Sequence, residues 1–460
     1  MIRDFFARSA LAKVLMLVLL TGLLGIPLAM IGGLIQERGQ SRWLAAQALA
    51  EAHAGPQTVI GPVLLVPYVE RWVEEKRDAE GTTRRVAHAR QKAHLVFPET
   101  TVFDGRLEPQ ERYRGIFKVL FYEWRGGVAG RFAAFDPSRI PRAEKDSVIE
   151  AQAPLLALGL RDVRGLQGTP VLELAGQSAS FQPRPATVPA DSWLADGIHA
   201  PLSTSAAQAL REGRAISFRV KLALVGQERI AFVPLADDTR ASLSSPWPHP
   251  SFGGEFLARE RSIGDQGFSA NWAITSLVSR ARSQVVQPRR GEGHDIQSLQ
   301  SFDVSLVEPQ NVHSLSERAV KYGVLFVAIV LMAAFMFELF ARLRLHPVQY
   351  GLVGLAIAVF FLLLLALSEK MRFGLAYAAA AGASVALLTA YFSAVLRGSG
   401  RGVGLGAFVA VLYGVLYGLL SSEDNALLLG SLLLFGLLAL LMLGTRRVDW
   451  YALPTREPAT

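Results

Sequence analysis

Six stretches of hydrocarbon length punctuate this chain, at residues 14–35, 323–341, 348–367, 373–396, 403–420 and 426–444, and they leave few architectures open. A helix rises 1.5 Å per residue, so ~20 apolar residues cross the ~30 Å hydrocarbon core of a bilayer. Stretch 14–35 carries no charge, and charged residues, dense from Arg38 to Lys321, almost vanish between 322 and 444. Charged residues make up 19% of the chain, against roughly 25% in ordinary soluble domains. The deficit therefore lies in segments solvated by lipid. The first stretch follows a basic start (Arg3, Arg8, Lys13) but exceeds the ~7–15 residues of a signal-peptide core. Its nearest small-x-small string, Ala48-Leu49-Ala50, falls well past its end, so it reads as an uncleaved anchor.

Orientation follows from where the short flanks keep Lys and Arg. With the N-terminus inside, ten fall on the cytoplasmic pieces: Arg3, Arg8, Lys13, Arg342, Arg344, Arg397, Arg401, Arg446, Arg447 and Arg456. Two, Lys370 and Arg372, fall on the outer loops. Both termini are expected in the cytoplasm and the middle of the chain in the periplasm. The net charge of +8 then sits mainly on the inner face, facing anionic lipid, and gives no reason to expect a nucleic-acid partner. The expected divisions are a cytoplasmic start (1–13), a first span (14–35), an exported domain (36–322), five further spans (323–444) and a cytoplasmic tail (445–460).

The exported portion reads as β. Ile216, Phe218, Val220, Leu222 and Leu224 alternate with Ser217, Arg219, Lys221 and Ala223, the period of a half-buried strand. Similar runs occur at 59–69, 92–97, 116–122, 171–174, 230–235 and 302–307. Turn signals such as Asp104-Gly105 and Asp136-Pro137-Ser138 separate them. Residues 36–54 read as an amphipathic helix leaving the membrane, and 283–297 as a polar loop. The chain has no cysteine, so this domain must fold without disulfides, and no thiolate chemistry or Cys metal site can form. The fold class is a membrane protein of α+β type: one N-terminal transmembrane helix, a large, mainly antiparallel exported β domain, and a C-terminal five-helix transmembrane bundle.

Six residues stand out as candidate functional positions. Trp247-Pro248-His249-Pro250 places an imidazole between two residues of fixed φ. It reads either as a rigid turn presenting His249 to a metal or substrate or, preferably, as a locked turn whose Trp247 packs on the domain or the lipid interface. Glu338 is a carboxylate inside the second span, by default a proton or ion site. It lies within about a turn of Arg342 and Arg344 near the inner interface, and pairing with one of them is the preferred reading. Glu369, Glu423 and Asp424, with Lys370 and Arg372, occupy the outer loops and read as solvated caps or a cluster at the mouth of the bundle. Gly414 and Gly418 form a GxxxG pattern, a packing signal. Trp450 and Tyr451 suit an interfacial belt. His88 and His94 are six apart in a strand-like run, too few ligands for a metal site. The sequence carries no Walker loop, no G-x-S-x-G elbow, no H-E-x-x-H and no dinucleotide fingerprint, so neither enzyme chemistry nor a cofactor or metal is expected.

Several strings resemble the CreD family of inner-membrane proteins. They are Gly55-Pro56-Gln57 to Gly61-Pro62, the octet Ser245 to Phe252 (SPWPHPSF), Arg318 to Tyr322 (RAVKY), Leu345 to Tyr350 (LHPVQY), Leu362 to Glu369, Ser421 to Gly430 and Val448-Asp449-Trp450-Tyr451. They run nearly end to end, and the tail 454–460 extends past the family's usual end. The resemblance implies a cell-envelope integrity protein tied to a two-component system that responds to carbon source and envelope or β-lactam stress. It implies no catalytic or ligand residues. The leading expectation is a non-enzymatic protein whose exported domain senses or binds a periplasmic protein or wall component while its helices sit in the bilayer. The alternative is a small-molecule or ion transporter or channel built from the C-terminal helices. Oligomeric state is not legible in these residues.

Overall fold

A computed structural model describes residues 10–77, 83–136, 138, 140–287, 296–308, 312–341, 345–396, 398–421 and 426–446. The chain divides into two compact units, Leu44–Pro309 and the combination of Met1–Trp43 with Gln310–Thr460.

The second of these units is helical, as the apolar runs require: in hydrocarbon every backbone polar group must be satisfied within its own segment. Helix α1 (Ala10–Ala52) is a single 43-residue helix that merges the first apolar run with the amphipathic stretch after it. Among the described residues, α1 and three further helices are long and apolar enough to cross a membrane. A pair of helices bent by 45°, 315–321 and 323–338, makes a fifth candidate. The last apolar run forms a 20-residue helix, Ala426–Thr445.

Glycine sets the closest approaches in this unit. A Cβ on Gly402 would lie 2.1 Å from Ser393 Oγ, and one on Gly406 2.0 Å from Thr389 Oγ1. The helices Phe373–Val395 and Ser399–Ser421 therefore touch backbone to side chain at these points, as small residues permit. The sequence pattern had pointed instead to Gly414 and Gly418, where an added Cβ would meet nothing within 4 Å. Both positions lie on the exposed side of their helix, so the packing signal sits three turns nearer its start.

The other unit is β-rich, with two eight-stranded sheets. One runs β13-β16-β11-β1-β6-β9, with β2 and β5 also on β1; its strands are β1 (Gln57–Arg77), β2 (Thr83–Val96), β5 (Val148–Ala151), β6 (Leu155–Leu160), β9 (Gly197–Pro201), β11 (Arg229–Val233), β13 (Pro250–Gly254) and β16 (Phe302–Leu306). The other runs β14-β15-β12-β3-β4-β10-β7-β8, with β3 (Thr100–Arg114), β4 (Phe117–Phe132), β7 (Leu166–Leu174), β8 (Gln177–Ala179), β10 (Ile216–Gln227), β12 (Asp238–Ser245), β14 (Glu260–Gly264) and β15 (Gly267–Thr275). Pairing is antiparallel except for β1 with β11 and β12 with β3. Each strand-like run of the sequence lies in or overlaps one of these strands. The alternation in β10 is the burial pattern itself, with Ile216, Phe218, Val220, Leu222 and Leu224 all buried.

The two sheets share one core. Phe103 and Trp124 of one sheet meet Phe232 of the other at ring-centroid distances of 4.9 and 5.3 Å, and Phe232 stacks on Phe302 at 5.5 Å. Each side chain buried this way stabilises the fold by about 1.5–3 kcal/mol relative to exposure.

Two sequence expectations are corrected here. Asp104-Gly105 is not a turn but the middle of β3, paired with Gly127 and Gly126. A Cβ on Gly105 would lie 2.2 Å from Trp124 Nε1, so glycine is there to admit the indole. The polar loop expected at 283–297 begins as helix, Ala281–Val286, and 296–298 form a 3-10 turn; residues 288–295 lie outside the described ones.

Candidate functional site

Among the described residues, the helical unit holds a buried carboxylate cluster. Glu338, only 3% exposed, sits near the end of helix Gly323–Ala341. Its Oε1 accepts a hydrogen bond from Lys13 Nζ, which comes from the first turn of α1. Its Oε2 accepts one from Tyr350 Oη at 2.5 Å. The sequence had pointed to Arg342 and Arg344, which lie outside the described residues; the partners found are 325 and 12 positions away. A sequence signal for Tyr350 exists only in hindsight. In the string Leu345 to Tyr350, His346 caps the helix Pro347–Ser368 by accepting from Val348 N, and Gln349 Oε1 accepts from His346 N, a capping box with Pro347 at the first helical position. That start places Tyr350 one turn in, beneath the carboxylate.

At the other end of the same helix, Glu369 pairs with Arg38 at 3.4 Å. Lys13 and Arg38 are 25 residues apart on α1, or about 37 Å along its axis. Two of the six candidate residues therefore hold one helix at two levels. Between them Leu24 fills the notch at Gly354, where a Cβ would stand 2.1 Å from Leu24 Cδ1. The two clamps differ in strength. The Glu338 side chain is 4% exposed and that of Lys13 18%, whereas Glu369 and Arg38 are 17% and 41% exposed. Exposed pairs contribute about 0–1 kcal/mol, while stranding one partner of a buried pair costs several. Both oxygens of Glu338 are engaged, so the geometry is that of a docking contact. Glu423 and Asp424 lie outside the described residues.

Trp247 and His249 belong to the β-rich unit, in the turn that carries the chain from β12 of one sheet to β13 of the other. Trp247 Nε1 donates to Val307 O at 2.9 Å, and Val307 N donates to His249 O at 3.1 Å. The Trp247 ring packs against the main core while His249 is exposed. The octet thus splices two sheets and fastens the last strand.

The strand histidines do not converge. His88 stacks on Trp72 at 5.2 Å and pairs with Glu74 at 3.0 Å; His94 stacks on Phe135 at 5.7 Å. Burial pushes the His94 and His199 imidazoles down, favouring their neutral forms. Among the described residues, no three His, Cys, Asp or Glu side chains gather at metal-binding distance.

Sequence reasoning missed two features of this unit. Glu70, fully buried on β1, accepts from Ser147 Oγ, Lys92 Nζ and the backbone N–H groups of Ala143 and Glu144, at 2.6–3.3 Å. Burial raises its carboxyl pKa, but these four donors outweigh it and hold the group at about 2. The second is a cleft of about 640 Å³ lined by Arg161, Arg164 and Arg184 together with Asp162 and Asp196, with Arg164 paired to Asp162 at 2.6 Å.

Comparison with known proteins covers nearly the whole chain. The profile of the family described as "CreD: Inner membrane protein CreD" matches residues 9–451. The inner membrane protein CreD of Escherichia coli (strain K12) is 31% identical over 434 residues, 94% of this chain and 91% of that protein.

Proposed function

Since the chain belongs to the CreD family of inner-membrane proteins, we propose that it is a non-enzymatic, multi-pass component of cell-envelope integrity and stress response. In this reading both termini are cytoplasmic, six helices cross the bilayer, and the β-rich unit lies in the periplasm, where it binds a protein or wall component. The observation that carries it is α1, one unbroken helix whose residues up to Trp43 belong to the helical unit, where it is held at Lys13 and Arg38, and whose residues from Leu44 belong to the β-rich one. Such a helix suits an anchor that transmits the state of an exported domain. The cleft, lined by three arginines together with Asp162 and Asp196, offers a place for a polar partner.

The transporter reading drew most on Glu338. With both its oxygens taken by Lys13 and Tyr350, that residue supports docking of α1 over an open ion path.

The test is complementation of cells that lack the protein, read as uptake of a dye that an intact envelope excludes, together with a topology reporter fused at Ala200. The expected result is a leaky envelope restored by the wild-type chain and a reporter active in the periplasm. An envelope equally tight with and without the protein, or a reporter active in the cytosol, overturns the reading.

A further inference from the structure

The cleft of about 640 Å³ lies wholly within Leu44–Pro309, and its charges do not balance. Three guanidiniums, Arg161, Arg164 and Arg184, line it with two carboxylates, Asp162 and Asp196, an excess of one positive charge. Arg164 is matched to Asp162 through its Nε at 2.9 Å and its Nη2 at 2.6 Å. Arg184 is exposed and forms no hydrogen bond or ion pair with another described residue. Its charge bears on His199, an imidazole whose neutral form burial favours.

The rest of the lining suits a ligand with an apolar body. Phe181 and Pro183, close to Arg184 in the chain, supply apolar surface. Across from them β7 bulges. Val171 pairs with Lys221 and Gln167 with Ala223, so Gly168 to Pro170, all three in the lining, stand opposite Leu222 without a ladder partner. Bulges recur beside functional sites, where they end pairing and re-aim the chain. The volume falls within the ~300–1,000 Å³ of small-molecule sites.

One side chain of this lining also caps α1. The last carbonyls of a helix have no partner within it. Leu49 O accepts from His53 N at 3.0 Å, while Ala50 O and Glu51 O accept from the guanidinium of Arg164, the first at 3.4 Å. Asp162, which holds that guanidinium, accepts from Gly55 N at 3.3 Å. Its backbone is pinned in turn by the Gln57 side chain, which donates to Asp162 O and accepts from Asp162 N. The string Gly55-Pro56-Gln57 therefore joins the end of α1 to this corner of the cleft.

We propose that the cleft binds a small organic monocarboxylate, its carboxylate on Arg184 and its apolar body against Phe181 and Pro183, and that occupancy stiffens the end of α1 through Arg164. This rests on the reading of the β-rich unit as a binding unit and names the chemistry of one ligand. A single anion cancels the excess charge, whereas a second would meet Asp162 and Asp196. A ligand packed against Arg164 restrains the side chain that closes Ala50 O and Glu51 O, so the helix end opens less often.

The probes are N-acetylleucine, its amide and the dianion N-acetylglutamate, offered to the full-length chain in phospholipid nanodiscs. Saturation-transfer NMR follows binding, and hydrogen exchange of residues 49–55 follows the helix end. N-acetylleucine should bind, and the amide and N-acetylglutamate should bind at least about tenfold more weakly, since one loses a charged hydrogen bond and the other brings an unmatched charge. Arg184→Gln should weaken N-acetylleucine by a similar factor and leave the circular dichroism spectrum unchanged, because Arg184 bonds to no described residue. Exchange at 49–55 should slow with N-acetylleucine in the wild-type chain and not in Arg184→Gln. Equal binding of acid and amide, binding of neither, or binding that survives Arg184→Gln overturns the carboxylate site; binding without slower exchange overturns the link to α1. A chain that restores the envelope yet binds none of the probes refutes this inference alone, whereas a chain that fails to restore it refutes the functional reading beneath.

Discussion

Breaking the inner clamp from the cation side gives the sharpest test of what holds α1 in place. Lys13→Met removes the ammonium and leaves the Glu338 carboxylate with Tyr350 as its remaining partner among the described residues, in surroundings where it is 3% exposed. Stranding one member of a buried pair costs about 3–5 kcal/mol. Lys13 keeps 18% side-chain exposure, which admits some water and ions, so the lower end, about 3 kcal/mol, is expected. The informative variant is the double replacement, Lys13→Met with Glu338→Met. Two apolar side chains of suitable length need no desolvation, and such exchanges are often neutral or stabilising by ~1–4 kcal/mol. Stability should therefore fall in each single variant and recover in the double one. Equilibrium unfolding of the full chain in mixed micelles measures all four corners of the cycle. A single variant costing under about 1 kcal/mol, or a double variant costing the sum of the singles, would refute the claim that the pair is buried and coupled.

Other expectations follow from the same contacts. Tyr350→Phe should cost about 1.5–3 kcal/mol in that assay, since it removes a hydrogen bond to a charged acceptor. Arg38→Ala should cost under ~1 kcal/mol, as the outer pair is exposed. Glu70 has a folded pKa of about 2 against its ordinary 4.5, so its contribution is complete above pH 4.5 and is lost as the pH falls toward 2. Thermal melting of Glu70→Gln should be lower at neutral pH and flatter than wild type across that acid window. Gly105→Ala drives a methyl to 2.2 Å from Trp124 Nε1 and should lower the stability of the β-rich unit by up to about 3 kcal/mol, read by denaturant titration of Trp fluorescence.

What this sequence determined by itself is the part of the fold governed by local solvent and period. Each of the six apolar runs falls in a helix, because in hydrocarbon a helix satisfies its own backbone and needs no partner to specify it. The alternation from Ile216 to Leu224 is enough to make β10 a strand and to choose its buried face. What only the tertiary structure decided is which faces meet. Glu338 advertises a need for a cation, yet Lys13 and the nearby arginines are alike in composition, and packing alone brings one 325 residues away. Asp104-Gly105 reads as a turn because the same flexible residue serves turns and close approaches, and only the Trp124 ring across the strand tells them apart. The string Trp247 to Pro250 looks poised for chemistry until Val307 takes the indole N–H and donates to the histidine carbonyl. A residue's period states which side it faces; its partner is chosen by segments far along the chain, and no local pattern carries that choice.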